Sequence, residues 1–352
     1  MEDISDHEVA AAFRVAVEEN RRIAAEKDGS VIDHRWVKES PVPKRLIQYI
    51  DQGVIDRIHP SGKSNWARTA KIEATDETGK ATPFFIKVHQ FEHGKNMVSS
   101  EFQSMQALYR VMPELVAEPI AWGSYVAEPD AHFFLCRFCA LTGEIPSLRD
   151  DDDDFPRLIA ELHKRGVSPT GRFGMPYATY SGRNPLYFPP SDSWEECFAK
   201  GLAAIFDMEA DTHREVDDDG ELRELREGIM TRVIPRLLHP LETEGRALTP
   251  RLVHGDLWDG NASVEVKAGG GGSQPRIFDG VCFYAHNEYE LAPWWAPRHK
   301  MTGAYIAEYV RHFPVAEPVE DFEYRGLLYR LWAFPLLISR GSSIGPDTFR
   351  IC

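Results

Sequence analysis

The run "FFIKVHQ", residues 84–90, sets a lysine among apolar and aromatic neighbours in a pattern that predicts a strand. An ammonium taken out of water with no counter-ion costs more than the apolar burial around it returns. Any fold of this chain must therefore carry a carboxylate to Lys87. Glu101, in "SSEFQSM" further along, is placed to do so, because Met97, Phe102, Met105, Leu108 and Tyr109 around it recur at helical spacing. The constraint is a strand that leads into a helix and is then covered by it.

The flanking sequence fits such a unit. "ARTAKIEAT" and "TPFFIKVHQ" alternate on either side of the polar turn "DETGKA", a hairpin signal. "EPIAWGSYVAEPDAHFFLCRFCA" reads as two further strands about a Pro/Asp turn. Residues 45–136 are thus expected to form a small antiparallel sheet with one long helix. Beyond them the periodicity turns helical. "DFPRLIAELHKRG", "SWEECFAKGLAAIFDMEADTH", "LRELREGIMTRVIPRLLHPLE" (kinked near Pro235), "APRHKMTGAYIAEYVRHF" and "YRGLLYRLWAFPLLISR" predict helices. Among them "SVEVK" and "RIF" are short strands joined by the flexible turn "AGGGGSQP". The class expected is α+β, with residues 137–352 as a larger, mainly helical part. Residues 7–27 read as an amphipathic helix in an extension covering residues 1–44.

With 352 residues, 8 Trp and 19 Phe, the chain can bury a substantial core. Forty basic against 55 acidic residues give a net charge of −15, which disfavours nucleic acid or an anionic membrane as partner. Five scattered cysteines do not make a disulfide framework, and Cys136 and Cys139, within an apolar run, read as buried small hydrophobes. No apolar run approaches a membrane span, and the acidic N-terminus lacks a signal-peptide pattern. The expected address is cytoplasmic, and nothing in the sequence fixes an oligomeric state.

Chemistry concentrates in two segments. "LVHGDLWDGN" places Asp256 and, five residues on, Asn261 in a glycine-bearing loop between apolar runs. "RIFDG" ends an apolar strand on Asp279, where a carboxylate is available to a divalent cation. With Lys87 and Glu101 upstream, these are the parts of phosphoryl transfer from ATP. Lys87, paired with Glu101, positions phosphates; Asn261 and Asp279 are candidate Mg²⁺ ligands; Asp256 accepts the proton of an attacking hydroxyl.

Other features carry less. "SGKS", residues 61–64, resembles the end of a phosphate-binding P-loop, but Arg57 stands where its first glycine belongs. It lies instead where a kinase-type fold places the loop over the nucleotide, with Gly62, Ser64 and Asn65 as candidate contacts. The acidic runs at 150–154 and 217–219 read as solvated loops or helix starts.

"HGDLWDGN" followed by "IFDGVCFYAHNEYELAPW" resembles the fructosamine kinase (ketosamine-3-kinase) family, a branch of the bilobal protein kinase-like fold that includes aminoglycoside phosphotransferases. "LHKRGVSPTGRFG" and "DSWEECFAKG" are similar to further family segments, and "SPTG" with "AHNEYEL" looks closest to fungal-type members. The resemblance covers residues 60 to 335. It implies ATP-dependent phosphorylation of the 3-hydroxyl of ketoamine sugars, ribulosamine or fructosamine, on protein lysines or free amines, and release of the sugar. It also implies adenine contacts from Arg137, Phe138 and Cys139. Trp258, His286 and Glu290 are candidate substrate contacts; the alternatives are that Trp258 wedges the loop and that Glu290 anchors a backbone turn. Gly280 stands where many members have proline or alanine. Competing readings are an aminoglycoside or other small-alcohol kinase, and a nucleotide-binding scaffold without catalysis.

Overall fold

The computed structural model describes residues 54–61, 67–76, 78–125, 128–148, 154–212, 220–267 and 272–332. The helix expected at 7–27, Gly62, Ser64, Asn65, the acidic residues 150–153 and 217–219, most of the glycine-rich turn and the chain beyond Trp332 lie outside them.

Strands β1 (Val54–Pro60), β2 (Arg68–Thr75), β3 (Phe84–Gln90), β4 (Pro119–Ser124) and β5 (Ala131–Arg137) form an antiparallel sheet in the order β1-β2-β3-β5-β4. The predicted hairpin joins β2 to β3, closed by the Asp76 carboxylate, which accepts from the backbone N–H groups of Thr78 and Lys80. Period-two alternation sorts β3. Phe84, Ile86 and Val88 enter a core with Ala70, Ile72 and Leu135, while Phe85 packs in a different cluster with Phe134 and Leu108. Lys87 shares this second face, opposite Phe134 in the register.

Helix α1 (Phe91–Val111) follows β3 without a loop, and Phe91 absorbs the turn with a left-handed φ of 65°. Its start precedes the helical run read from the sequence, because the polar "FEHG" segment already forms the first turn. The buried stripe Met97, Val98, Met105 and Leu108 lies against the sheet.

Helix α2 (Phe155–Arg165) is capped by Asp154, whose carboxylate accepts from the Arg157 N–H, so the last residue of the acidic run is a helix start. After the hairpin β6 (Thr179–Ser181) and β7 (Asn184–Leu186) come α3 (Trp194–Thr212) and α4 (Gly220–Gly228). The break expected near Pro235 takes the form of a π-helical stretch, Ile229–Val233, ahead of the short α5 (Ile234–Leu238).

The hairpin of β9 (Ala262–Val266) and β10 (Ser273–Ile277) forms as expected. Strand β8 (Arg251–Val253) pairs with β11 (Phe283–Ala285), and turns of 3₁₀ helix over Asn287–Trp295 lead to α6 (Gly303–His312) and α7 (Phe322–Arg330). The N-terminal half of the expected "APRHKMTG" helix is not helical; α6 begins at Gly303. Trp194, Phe198, Phe283, Tyr289 and Tyr329 build one aromatic core. A second core combines Val98, Met105 and Leu108 of α1 with Phe134, Leu252, Ile277 and Trp294, and so joins the sheet and its helix to the helical part.

Candidate active site

Lys87 is 8% exposed, and its Nζ lies 2.7 Å from Glu101 Oε1 and 2.6 Å from Asp279 Oδ1. One ammonium thus joins a strand, a helix and a strand end far along the chain. Burial by itself would push the Lys87 pKa down, but the Asp279 and Glu101 carboxylates outweigh it and hold the group above its ordinary value. Burial and the neighbouring Asp279 raise the Glu101 pKa; for Asp279, whose side chain is half-exposed, the Lys87 ammonium outweighs desolvation and the value falls. Two carboxylates around one ammonium leave an excess of negative charge, which suits the arrival of a cation.

Asp279 adopts a left-handed φ of 60°, unusual for a residue with a side chain, and turns its carboxylate off the end of β10. The Phe278 N–H donates to the Asn261 carbonyl, which fastens this strand end to the Asp256 loop. Gly280 does not loosen the turn. A Cβ there would meet Cys282 Sγ at 3.1 Å and Leu108 Cδ1 at 3.2 Å, so the turn sits close against α1.

The Asp256 loop is held from below by backbone contacts. Gly255 has φ 84°, and a Cβ on it would come within 2.3 Å of the Val281 carbonyl oxygen, so only glycine allows this approach. Glu290 accepts from the N–H groups of His254 at 2.5 Å and Gly255 at 3.0 Å, and lies 3.4 Å from His163 Nε2. His254 Nε2 lies 2.9 Å from the Phe278 carbonyl, and the Asp256 N–H donates to His254 Nδ1 at 3.3 Å. Those partners describe a neutral ring with its proton on Nε2, in keeping with burial, which lowers its pKa. Asp256 Oδ2 accepts from Ser181 Oγ at 3.2 Å, and Asn261 Nδ2 donates to the Asp256 carbonyl at 2.8 Å. That bond directs the Asn261 amide oxygen away from the loop backbone.

Two expectations are corrected. Glu290 is 1% exposed and its carboxylate is engaged by the loop, so it anchors a backbone turn and does not face a substrate. His286 is also 1% exposed, bonds Tyr329 Oη at 2.9 Å, and is pushed down to about 4 by burial; it belongs to the aromatic core. Trp258 differs from both. It is 37% exposed, it packs against His299 at 5.4 Å between ring centroids, and its ring covers Gly260 so closely that a Cβ there would lie 2.2 Å away. The loop therefore seats this ring and leaves part of it open.

Of the segment expected to meet adenine, Arg137 donates its N–H to the Glu118 carbonyl and Phe138 donates to Pro83. Cys139 is left as the amide donor of the three. Ser181 was not legible beforehand, since β6 and β7 are three residues each and carry no periodicity. His163 and Phe278 were missed as loop anchors for a related reason: each lies in a segment already explained by its apolar pattern.

The fructosamine kinase family model matches residues 53–337. The chain belongs to the fructosamine kinase family. A relative from rice (Oryza sativa subsp. japonica), named protein-ribulosamine 3-kinase, chloroplastic, is 29% identical over 258 residues, covering 72% of this chain and 66% of its own length. The chain thus spans just under two thirds of that relative. A mouse protein named ketosamine-3-kinase is 26% identical over 59% of this chain and 68% of its own. Among solved structures, a candidate fructosamine-3-kinase from Thermobifida fusca superposes with a TM-score of 0.62 at 19% identity, covering 85% of this chain and 92% of that one. An aminoglycoside phosphotransferase solved with AMP-PNP and hygromycin B gives 0.50 at 15% identity, covering 86% and 96%. These likenesses show a kinase-like fold for this family member. Among the described residues no helix is long and apolar enough to cross a membrane.

Proposed function

We propose that this chain transfers the terminal phosphoryl group of ATP to the 3-hydroxyl of ketoamine sugars carried on lysines or free amines, and so promotes their removal. The observation that supports it most is the bridge from Lys87 to both Glu101 and Asp279, with the Asp256 loop bound to the same strand end through Phe278 and Asn261. Relatives carry ribulosamine and ketosamine kinase names, which point to the same acceptor class.

Lys87 positions phosphate oxygens, with Glu101 keeping the ammonium in place. Cys139 offers a backbone N–H to the adenine ring. Asp256, oriented by the Ser181 hydroxyl and by its own N–H bond to His254, aligns the acceptor hydroxyl and accepts its proton. Asn261 and Asp279 suit Mg²⁺, because both present oxygen donors and Asp279 stands half-exposed at a strained turn beside surplus negative charge. The bound ion would neutralise charge on the phosphates. Cys136, Cys139, Cys197 and Cys282 are free thiols, in accord with a cytoplasmic address.

The test is incubation with Mg-ATP and a panel of ribulosyl-lysine, fructosyl-lysine and aminoglycosides, read by mass spectrometry. A phosphorylated ketoamine is expected, and its loss in Asp256→Asn with the fold retained. Turnover of aminoglycosides alone would refute the proposal.

A further inference from the structure

Beneath the Asp256 loop runs a chain of buried polar groups, of which only the upper end has been given a role. Asn287 Nδ2 donates to Tyr309 Oη at 3.0 Å, Tyr309 Oη lies 2.7 Å from His163 Nδ1, and His163 Nε2 lies 3.4 Å from Glu290 Oε2. The same Glu290 oxygen accepts from the His254 N–H, while Oε1 accepts from Gly255. His163, Tyr309 and Glu290 are each 1% exposed or less. Three elements meet here: α2 brings His163, α6 brings Tyr309, and the 3₁₀ turns bring Asn287 and Glu290.

Buried polar groups settle into the proton arrangement that pairs them all. The Tyr309 oxygen accepts from Asn287, so its own hydrogen points at His163, and Nδ1 accepts it. The imidazole proton then sits on Nε2, facing the Glu290 carboxylate. The opposite tautomer would set a bare ring nitrogen against a carboxylate oxygen and strand the phenol hydrogen. The ring is also held in place. It meets Tyr309 and Phe313 edge-on at 5.6 and 6.5 Å between centroids, and Arg251 Nη1 donates to the His163 and Lys164 carbonyls at 3.4 and 3.2 Å. Arg251 opens β8, which runs straight into His254, so the end of α2 is tied to the strand that feeds the loop. With Nε2–H as a third donor, the Glu290 carboxylate has one orientation that pairs every group around it. Without that donor it can rotate off one of the two loop N–H groups.

We infer that Tyr309 and His163 are positioning residues for the base: the Tyr309 hydroxyl fixes the His163 tautomer, His163 directs the Glu290 carboxylate onto the His254 and Gly255 N–H groups, and Asp256 is thereby set one residue further on. The effect on rate rests on the ketoamine kinase reading, whereas the proton arrangement and the hold on the loop stand without it.

Nuclear magnetic resonance of the protein with isotope-labelled histidine reads the tautomer, the His163 signal being the one that disappears in His163→Gln. A protonated Nε2 with a bare Nδ1 is expected; a proton on Nδ1, alone or together with Nε2, would overturn the inference. Tyr309→Phe removes only the hydroxyl. It should mix the two tautomers and lower the hydrogen-exchange protection of the His254 and Gly255 amides. With Mg-ATP and ribulosyl-lysine, kcat should fall about tenfold, the effect of one buried hydrogen bond, while KM for ATP is unchanged. His163→Gln, whose amide offers an acceptor to Tyr309 and a donor to Glu290, should keep more of kcat and of the amide protection than His163→Leu. Parental kcat and protection in Tyr309→Phe, or equal losses in the two His163 variants, would refute positioning even with the tautomer as expected. If the unaltered protein does not phosphorylate ribulosyl-lysine, the kinase reading fails, and tautomer and amide protection decide the inference. If Tyr309→Phe does not fold, the parental tautomer and the two His163 variants decide it.

Discussion

Replacing Glu290 by glutamine keeps the side-chain shape and removes one charge from beneath the Asp256 loop. In the native protein its carboxylate accepts from two backbone N–H groups and lies beside His163. An amide has one acceptor oxygen, so its NH₂ must face either the His254 or the Gly255 N–H, donor against donor. Weakening one charge-assisted bond and stranding one buried donor together cost about 3–5 kcal/mol. For a chain of this size that lowers Tm by roughly 4–7 °C. Because the two N–H groups immediately precede Asp256, kcat should fall by roughly ten- to a hundredfold while nucleotide affinity, governed by Lys87 and its partners, changes little. Thermal unfolding followed by steady-state kinetics with Mg-ATP and ribulosyl-lysine measures both. A variant with Tm within about 2 °C of the parent and an unaltered kcat would refute the assignment of Glu290 as the loop's anchor.

Burial lowers the pKa of His89, His254 and His286. Each ring is neutral when folded and takes up a proton on unfolding below about pH 6.5, so its contribution is intact above that pH and is lost as pH falls toward the folded value. Stability should drop by about 1.4 kcal/mol per pH unit for each ring; a Tm flat from pH 7 to 5 would contradict this. Arg325 is fully buried and grips Glu288 with two nitrogens, at 2.7 and 3.0 Å. Arg325→Ala should cost about 3–5 kcal/mol in denaturant unfolding, and pairing Arg325→Met with Glu288→Gln should recover much of that loss. Gly260→Ala would drive the Trp258 ring from its seat, visible as a shift in tryptophan fluorescence with the bulk of the fold retained.

Lys87 and Glu101 were legible because a charge in an apolar strand demands a partner, and helical spacing gave that partner a side. The Asp256 and Asn261 pair was legible from its spacing, and the resemblance extended both to a family. Glu290 and His286 stayed ambiguous for one reason: polar residues in such a run read equally well as contacts outward or anchors inward, and only burial tells them apart. Which backbone groups of Arg137, Phe138 and Cys139 are open to adenine was not legible. A strand's hydrogen-bond partners depend on register with Glu118 and Pro83, which composition does not encode. Ser181 reaches Asp256 from a short hairpin in a distant part of the chain, beyond the reach of any local pattern.

The apolar seam in which Val98, Met105 and Leu108 meet Leu252, Ile277 and Trp294 has a bearing on modularity. Cutting the polypeptide between its two parts would strip water-shy surface bare on each fragment. Neither piece should survive as an independent module, and heating the intact chain should melt sheet and helices in one step.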